Sequence, residues 1–498
     1  VQDYGAKGDG STDDTSAIQA ALDTQRNVYF GNTGNPYIIN TALKYYGNTH
    51  IYSNGATIKN TTGLSTPYTM MEPNSSSESN VTIDGLRFNQ LASTYGYDAN
   101  SYCVSVSEVN NILVTNCTFE DIITMAVWFD DTGTTTKNVG ITNNTILSSE
   151  AGGFSLFGYF DGVLISDNRI YNCKDDAIAL QSSSTSYGDS AIIANNIITD
   201  CHTQNSSSST PRGIHTLGIP NVTITGNTIN STYGCSIYVW LYISHAQTNT
   251  VIADNVCVAA GTNNGGATPA SGVYVNVTAG KTEPSHISIT GNSIYNPLDD
   301  GITAIKGNFY SIVGNTVKDS GTAGIGLEDV HDSVVVGNVV ENAGQENSNE
   351  VGIYLIDDCD DNIILGNRCE GSGITNYGIA VSHANGANNI IAHNNVSGVD
   401  TAGISDSGTG TQVFGNIGFI TENRGSASDT TDGSGNIVIA HGLAVTPNYV
   451  SVHVVGDNTY DADIQLVDAT NITVRIKDST DNSDVTATAV NVYWAAEN

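Results

Sequence analysis

Along most of the chain the apolar positions follow one short phrase: an apolar residue, two polar ones, Asn, one further residue, and a second apolar residue. It runs from Ile141 to Ile146 around Asn144, from Ile165 to Ile170 around Asn168, and from Ile193 to Ile198 around Asn196. Asn227, Asn255, Asn292, Asn315, Asn338, Asn367, Asn394 and Asn416 carry it onward, and Cys117 and Leu86 hold the slot in earlier copies. The interval varies from 22 residues (Asn394 to Asn416) to 37 (Asn255 to Asn292). About ten residues after each Asn comes a second phrase, small-apolar-x-apolar, as in Ala177 to Leu180, Gly213 to Thr216, Gly324 to Leu327 and Gly378 to Val381. Repetition at this period marks a solenoid. The apolar members point into one core and the residues between them face out or turn. Asn tolerates the left-handed conformation of a sharp bend and can stack as a hydrogen-bonded ladder. A leucine-rich repeat would need Leu-rich phrases and helical stretches, and neither occurs.

The first residues predict a cap. Val1 to Gly10 read as a strand and turn, and Ser11 to Asp14 start a short amphipathic helix with Ala17, Ile18, Ala21 and Leu22 on one face. The run from Tyr4 to Leu22 (Tyr-Gly-Ala-Lys-Gly-Asp-Gly-Ser-Thr-Asp-Asp, then the helix) resembles the opening signature of the pectate-lyase-like superfamily, the pectin lyase fold. The resemblance implies an all-β chain, a right-handed parallel β-helix. It also implies a protein that handles polysaccharide, since that group holds polygalacturonase-like glycosidases, lyases, mannuronan epimerases and phage tailspikes. With the repeats it covers residues 1–420. A stretch rich in Ser, Thr, Asp and Gly at 421–435 reads as a linker, and alternating runs within 436–498 predict a small β-sandwich. His441 to Pro447 resembles a phrase of appended modules in phage tail and secreted carbohydrate proteins, modules that bind sugar or hold trimers together.

Composition narrows the partners. Of 498 residues, 16 are Lys or Arg and 50 are Asp or Glu, a formal net charge of -34. The cations needed to neutralise nucleic-acid phosphates are missing. No apolar run is long enough to span a membrane. The opening at Val1 reads as a mature or trimmed form, and an extracellular location, secreted or on a cell or virion surface, is expected from composition. The eight cysteines form no CxxC pair, which argues against zinc or redox chemistry. Cys173 and Cys201 each fall five residues after an Asn, so they stack on adjacent coils where a disulfide is geometrically feasible. Cys257 and Cys369 take inward slots as free thiols.

The outward residues of the second phrase form columns. One contains Trp128, Ser155, Ala179, His215, Tyr238, Tyr274, Thr303 and Tyr354; another contains Asp130, Phe157, Gln181, Leu217, Trp240, Asn276 and Glu328. A line of exposed aromatics on so polar a chain reads as a glycan track, with Trp128, Phe157, Gln181, Tyr238, Trp240, Tyr274, Glu328 and Tyr354 as binding residues. The alternative is that loops fold over them. Asp130 and Asp131 sit two coils from Asp175 and Asp176, which would put carboxyl pairs about 9 to 10 Å apart, near the range of inverting glycosidases. Asp175 and Asp176 also resemble the paired aspartates of polygalacturonases, and Arg212 to His215 falls where that family has Gly-His-Gly. The Arg-Ile-Lys of that family has no counterpart, Tyr238 to Tyr242 standing in its place. The first expectation is therefore a glycoside hydrolase or depolymerase. The second is a polysaccharide lyase or uronate epimerase with His215 as base, Arg212 as neutraliser and Tyr238 as acid. The third is a non-catalytic glycan-binding spike or adhesin. No cofactor is required; calcium is the one ion the aspartate pairs could hold. A homotrimer is expected if the chain is a tailspike.

Overall fold

The computed structural model describes the chain apart from residues 62–67, 97, 99, 131–135, 183–187, 202–209, 242–247, 263–268, 278–284, 346–349, 372–374, 400–401 and 457–458. The chain winds as a parallel β-helix whose coils each contribute short strands to three stacked ladders. The first ladder runs in 14 strands from Tyr37–Ile39 to Asn395–Gly398. The second runs from Leu43–Tyr45 to Ala402–Asp406 and the third from Val28–Phe30 to Gln412–Phe414. The latter two merge into one 29-stranded sheet, because Ile302–Asn308 pairs with strands of both. Inward Ile, Val, Leu and Phe form one core that extends from Ala6 to Ile404. Each such side chain contributes about 1.5 to 3 kcal/mol on burial.

The Asn slot is the key of each coil. From Asn144 to Asn416 each side-chain amide donates to the Oδ1 of the next Asn at 2.9–3.1 Å. The same Oδ1 accepts a backbone N–H from the coil before, as in Asn196 N to Asn227 Oδ1 at 2.9 Å. The left-handed residue, however, is not this Asn but the one before it: Asn143, Asp167, Asn195, Gly226, Asp254, Gly291, Gly314, Gly337, Gly366, His393 and Gly415 all have positive φ. The division of labour is physical. One residue makes the bend, and the next uses its amide to satisfy the backbone groups that the bend exposes. At a second corner the backbone N–H groups of Ser333 and Asn362 donate to the Oδ1 atoms of Asn362 and Asn389.

Helix Thr15–Leu22 covers the first coil, with Ile18, Ala21 and Leu22 in the main core. Asp14 precedes it but does not cap it; its carboxylate accepts the backbone N–H groups of Lys7 and Gly8 instead. All eight cysteines are buried and free, with Cys173 opposite Cys201 on adjacent strands. At the other end, two three-stranded antiparallel sheets enclose a separate core of Ile437, Ile439, Ile472, Val474, Val492 and Trp494. The stretch 421–435 is not a bare linker, since Glu422–Thr430 pairs along its length with Ala489–Glu497. His441 is buried and structural: its Nε2 bonds to the Asp468 carbonyl at 3.0 Å and its Nδ1 accepts Leu443 N–H at 3.0 Å. No helix among the described residues is long and apolar enough to cross a membrane.

Candidate functional site

The second ladder presents the outward columns. Its register sets Trp128 beside Ser155, then Ala179, His215, Tyr238, Tyr274, Thr303, Gly326 and Tyr354. Two residues on, Asp130, Phe157, Gln181, Leu217, Trp240, Asn276, Ile305 and Glu328 follow one another. Near the middle of the rod a polar cluster is tied together. Asp176 stands at the turn entering its strand, two residues before inward Ile178. Its Oδ1 accepts the Arg212 backbone N–H at 2.8 Å, and its Oδ2 lies 2.7 Å from His215 Nδ1. Arg212 Nη1 is 3.8 Å from that Oδ2, and the guanidinium lies 4.2 Å from the centre of the Tyr238 ring. Burial pushes the Asp176 carboxyl up, but the His215 charge and hydrogen bond, with Arg212, outweigh it and hold the group below its ordinary value. Asp176 holds the imidazole through Nδ1, so Nε2 is the ring nitrogen turned away from the carboxylate. Both His215 Nε2 and Arg212 Nε are buried without a hydrogen-bond partner among the described residues.

Tyr238 is only 4% exposed. It is sandwiched between Arg212 and Tyr274, whose ring centre is 5.2 Å away, so it is not an open face for sugar. Trp128 stacks on Tyr102 at 4.7 Å. Phe157, Gln181, Trp240, Tyr274, Glu328 and Tyr354 remain partly exposed. The expected pairing of Asp130 with Asp176 fails. Asp130 lies level with Gln181, five residues further along the strand direction than Asp176. Five residues at about 3.3 Å, with two coils between, separate the backbones by about 19 Å. Asp131 lies outside the described residues. Asp175 accepts the Asp176 N–H at 2.9 Å. Among the described residues no three His, Cys, Asp or Glu side chains converge on a metal position; the pairs at 175–176, 299–300 and 357–358 lie in separate turns.

Farther along the same face is a second cluster, weighted too lightly in the sequence. Glu328 is partly buried in the outward column. Burial first, then the charges of Asp357, Asp329 and Asp300, raise its carboxyl above the ordinary range. Adjacent Asp329 moves the other way, chiefly through its hydrogen bond from Lys306 Nζ at 2.8 Å. Asp300 below is partly buried and its carboxyl is raised chiefly by desolvation, although Thr322 Oγ1, Thr303 Oγ1 and Ala323 N–H donate to it at 2.5, 2.8 and 2.9 Å. Repetition of Asp-Asp turns concealed this difference, because composition does not reveal which carboxyl is buried beside others.

The sequence matches a family model described as right handed beta helix region over residues 24–251, 138–283 and 262–417. The chain belongs to this family. Among curated proteins none matches it. Solved structures share the right-handed β-helix. The tailspike protein of E. coli bacteriophage HK620, in complex with a pentasaccharide, aligns at 11% identity over 98% of this chain and 90% of its own, with a TM-score of 0.56. The Azotobacter vinelandii mannuronan C-5 epimerase AlgE6 A-module aligns at 15% identity over 83% of this chain and 98% of its own, with a TM-score of 0.48. A Thermotoga maritima exopolygalacturonase aligns at 13% over 73% and 86%, with a TM-score of 0.42. At such identities the likeness is one of β-helix fold.

Proposed function

We propose that the protein is an extracellular or virion-surface glycoside hydrolase that cleaves a polysaccharide lying along the second ladder. Glu328 is the acid, and Asp329 beside it is the base. The observation that carries this reading is the pair of opposed environments on one strand: burial and like charge raise the Glu328 carboxyl above its ordinary range, and the hydrogen bond from Lys306 lowers that of Asp329. Neighbouring carboxyls driven apart in this way can protonate a leaving oxygen and activate water in one site. Trp240, Tyr274 and Tyr354 on the same face offer partly exposed rings against which sugar C–H faces pack. The HK620 tailspike, solved with a pentasaccharide, is a precedent for a glycan on this fold. Asp176 is not chosen as the acid, because a carboxyl held ionised has no proton to give. The test is a screen of neutral and acidic polysaccharides for new reducing ends. Loss of those ends in Glu328→Gln supports the assignment; full activity in that variant rejects it.

One observation favours a second reading, a lyase or epimerase. His215 Nε2 has no hydrogen-bond partner among the described residues, its ring is oriented by Asp176, and Arg212 and Tyr238 adjoin it. A base so placed could remove a proton next to a uronate carboxylate, with Arg212 neutralising that group. Products with ultraviolet-absorbing unsaturated ends, lost in His215→Ala and kept in Glu328→Gln, would replace the hydrolase with this reading.

A further inference from the structure

Between Tyr274 and Tyr354 the outward column of the second ladder drops to a low floor. Register places Thr303 and then Gly326 between them, so the two tyrosines stand three coil steps, about 14 Å, apart. Gly326 has no side chain, and the Asp300 carboxylate takes the space: a Cβ at Gly326 would meet Asp300 Oδ2 at 2.8 Å. Thr303 Oγ1 fixes that oxygen with a hydrogen bond of 2.8 Å. Glu328 stands beside this trough, two residues along the strand from Gly326. The column itself, from Ser105 through Trp128, Tyr274 and Tyr354 to Ser405, holds no Asp, Glu, Lys or Arg. The charged groups at its edge are acceptors: Asp300, Glu328 and Asp329, with exposed Asp357 and Asp358 in the next turn. Cations do not balance them. From residue 252 to residue 420 the only Lys or Arg are Lys281, Lys306, Lys318 and Arg368, against 18 Asp or Glu. Lys306 donates to Asp329 at 2.8 Å. Lys318 and Arg368 are on the first ladder, beside Glu341 and Glu370, and Lys281 lies outside the described residues.

We infer that the substrate is an uncharged polysaccharide, its rings seated in the trough between Tyr274 and Tyr354, and that polyuronates are excluded. The inference rests on the hydrolase reading and adds the substrate class to it. Sugar hydroxyls donate hydrogen bonds, and the trough offers them carboxylate acceptors. A uronate carboxylate is an acceptor only. It would lose water against the like charges of Asp300, Glu328 and Asp329, with Lys306 already bonded to Asp329. An ammonium sugar fails for the opposite reason. Its charge beside Glu328 would favour the ionised carboxyl and remove the proton that the acid must hold. Hydroxyl and N-acetyl groups carry neither penalty.

Matched polymers test it on the full chain. Amylose, galactan and mannan are each offered beside the same polymer oxidised at its primary alcohols to the uronate, and reducing ends are followed in wild type and Glu328→Gln. The expected result is release from a neutral member about 30-fold or more faster than from its oxidised partner at low salt, lost in Glu328→Gln. The ratio should shrink in high sodium chloride, which screens the repulsion. Asp358→Arg sets a cation where the backbone N–H of residue 358 reaches Asp329 Oδ1 at 3.3 Å. It should speed cleavage of the oxidised partner by about tenfold. Retention of Glu328→Gln in gels cast with each polymer gives the same comparison without turnover. Equal or faster cleavage of an oxidised member, tighter retention by it, or faster release from chitosan than from N-acetylated chitosan would each overturn the inference. So would failure of every neutral polymer to retain the protein. Hydrolysis of a neutral member that survives Glu328→Gln rejects the acid assignment instead, and the retention gels then decide the substrate class.

Discussion

Glu328 and Asp176 differ less in chemistry than in company. Glu328→Gln should lower reducing-end release by about 100-fold or more, the usual contribution of a general acid. Asp176→Asn should instead leave hydrolysis per folded molecule within about threefold while costing about 2 kcal/mol of stability in a denaturant melt, because His215 and Arg212 lose their counter-charge. On the proposed mechanism hydrolysis requires Glu328 protonated, so it should fall as pH rises past a value above the ordinary 4.5. Asp357→Asn removes one of the charges that raise that value and should move the high-pH limb of the profile to lower pH. Asp300 gives a stability counterpart. Its folded value lies above its unfolded one, so the stability of the neutral form is complete below the ordinary 3.8 and is lost as pH rises through the folded value. Asp300→Asn should therefore melt higher than wild type at about pH 7, with the difference closing at about pH 3. These contrasts were only partly legible in the sequence. Spacing identified the coil of each carboxyl but not its level along the strand, which is why Asp130 and Asp176 looked closer than about 19 Å. His215, Arg212 and Tyr238 could be grouped in advance, because His215 and Tyr238 occupy corresponding slots on consecutive coils and Arg212 lies three residues before His215.

At the scale of the coil, the Asn ladder carries the hydrogen-bonding load. Asn255→Ala would strand the backbone N–H and side-chain amide of Asn227 and the carbonyl of Ile224. With each buried orphan costing about 1 kcal/mol or more, the loss should be about 3 kcal/mol by equilibrium unfolding. The preceding slot has a different requirement. Gly337 has φ of 64°, and a Cβ there would meet nothing within 4 Å. Gly337→Asn should thus be nearly neutral, as Asn143 and Asn195 already take that geometry, whereas Gly337→Val should cost about 1 to 2 kcal/mol. The ladder itself was plain in the sequence because one residue type recurs at one slot. The left-handed role was assigned one residue too late, because Asn143-Asn144 and Asn195-Asn196 present two candidates side by side. The glycines at 226, 291, 314, 337 and 366 were the signal that separates them. Glu422–Thr430 was missed for another reason: its polar composition suits a linker, and only its partner Ala489–Glu497 makes it a strand.

For the whole molecule, charge and stacking act in opposite senses. Self-repulsion at -34 weakens the compact state and is screened by salt, so the melting temperature should rise by several degrees from low to high sodium chloride in differential scanning calorimetry. Stacking makes each coil answer mainly to its neighbours. The interval between ladder asparagines ranges from 22 residues (Asn394 to Asn416) to 37 (Asn255 to Asn292), yet the amide contacts stay at 2.9–3.1 Å throughout. The stack does not move as the interval changes. A gene encoding such a rod can therefore be lengthened or shortened by whole coils, each duplication adding about 4.8 Å. The molecule is a ruler whose graduations are asparagines, and natural variation could tune its reach without redesigning the core.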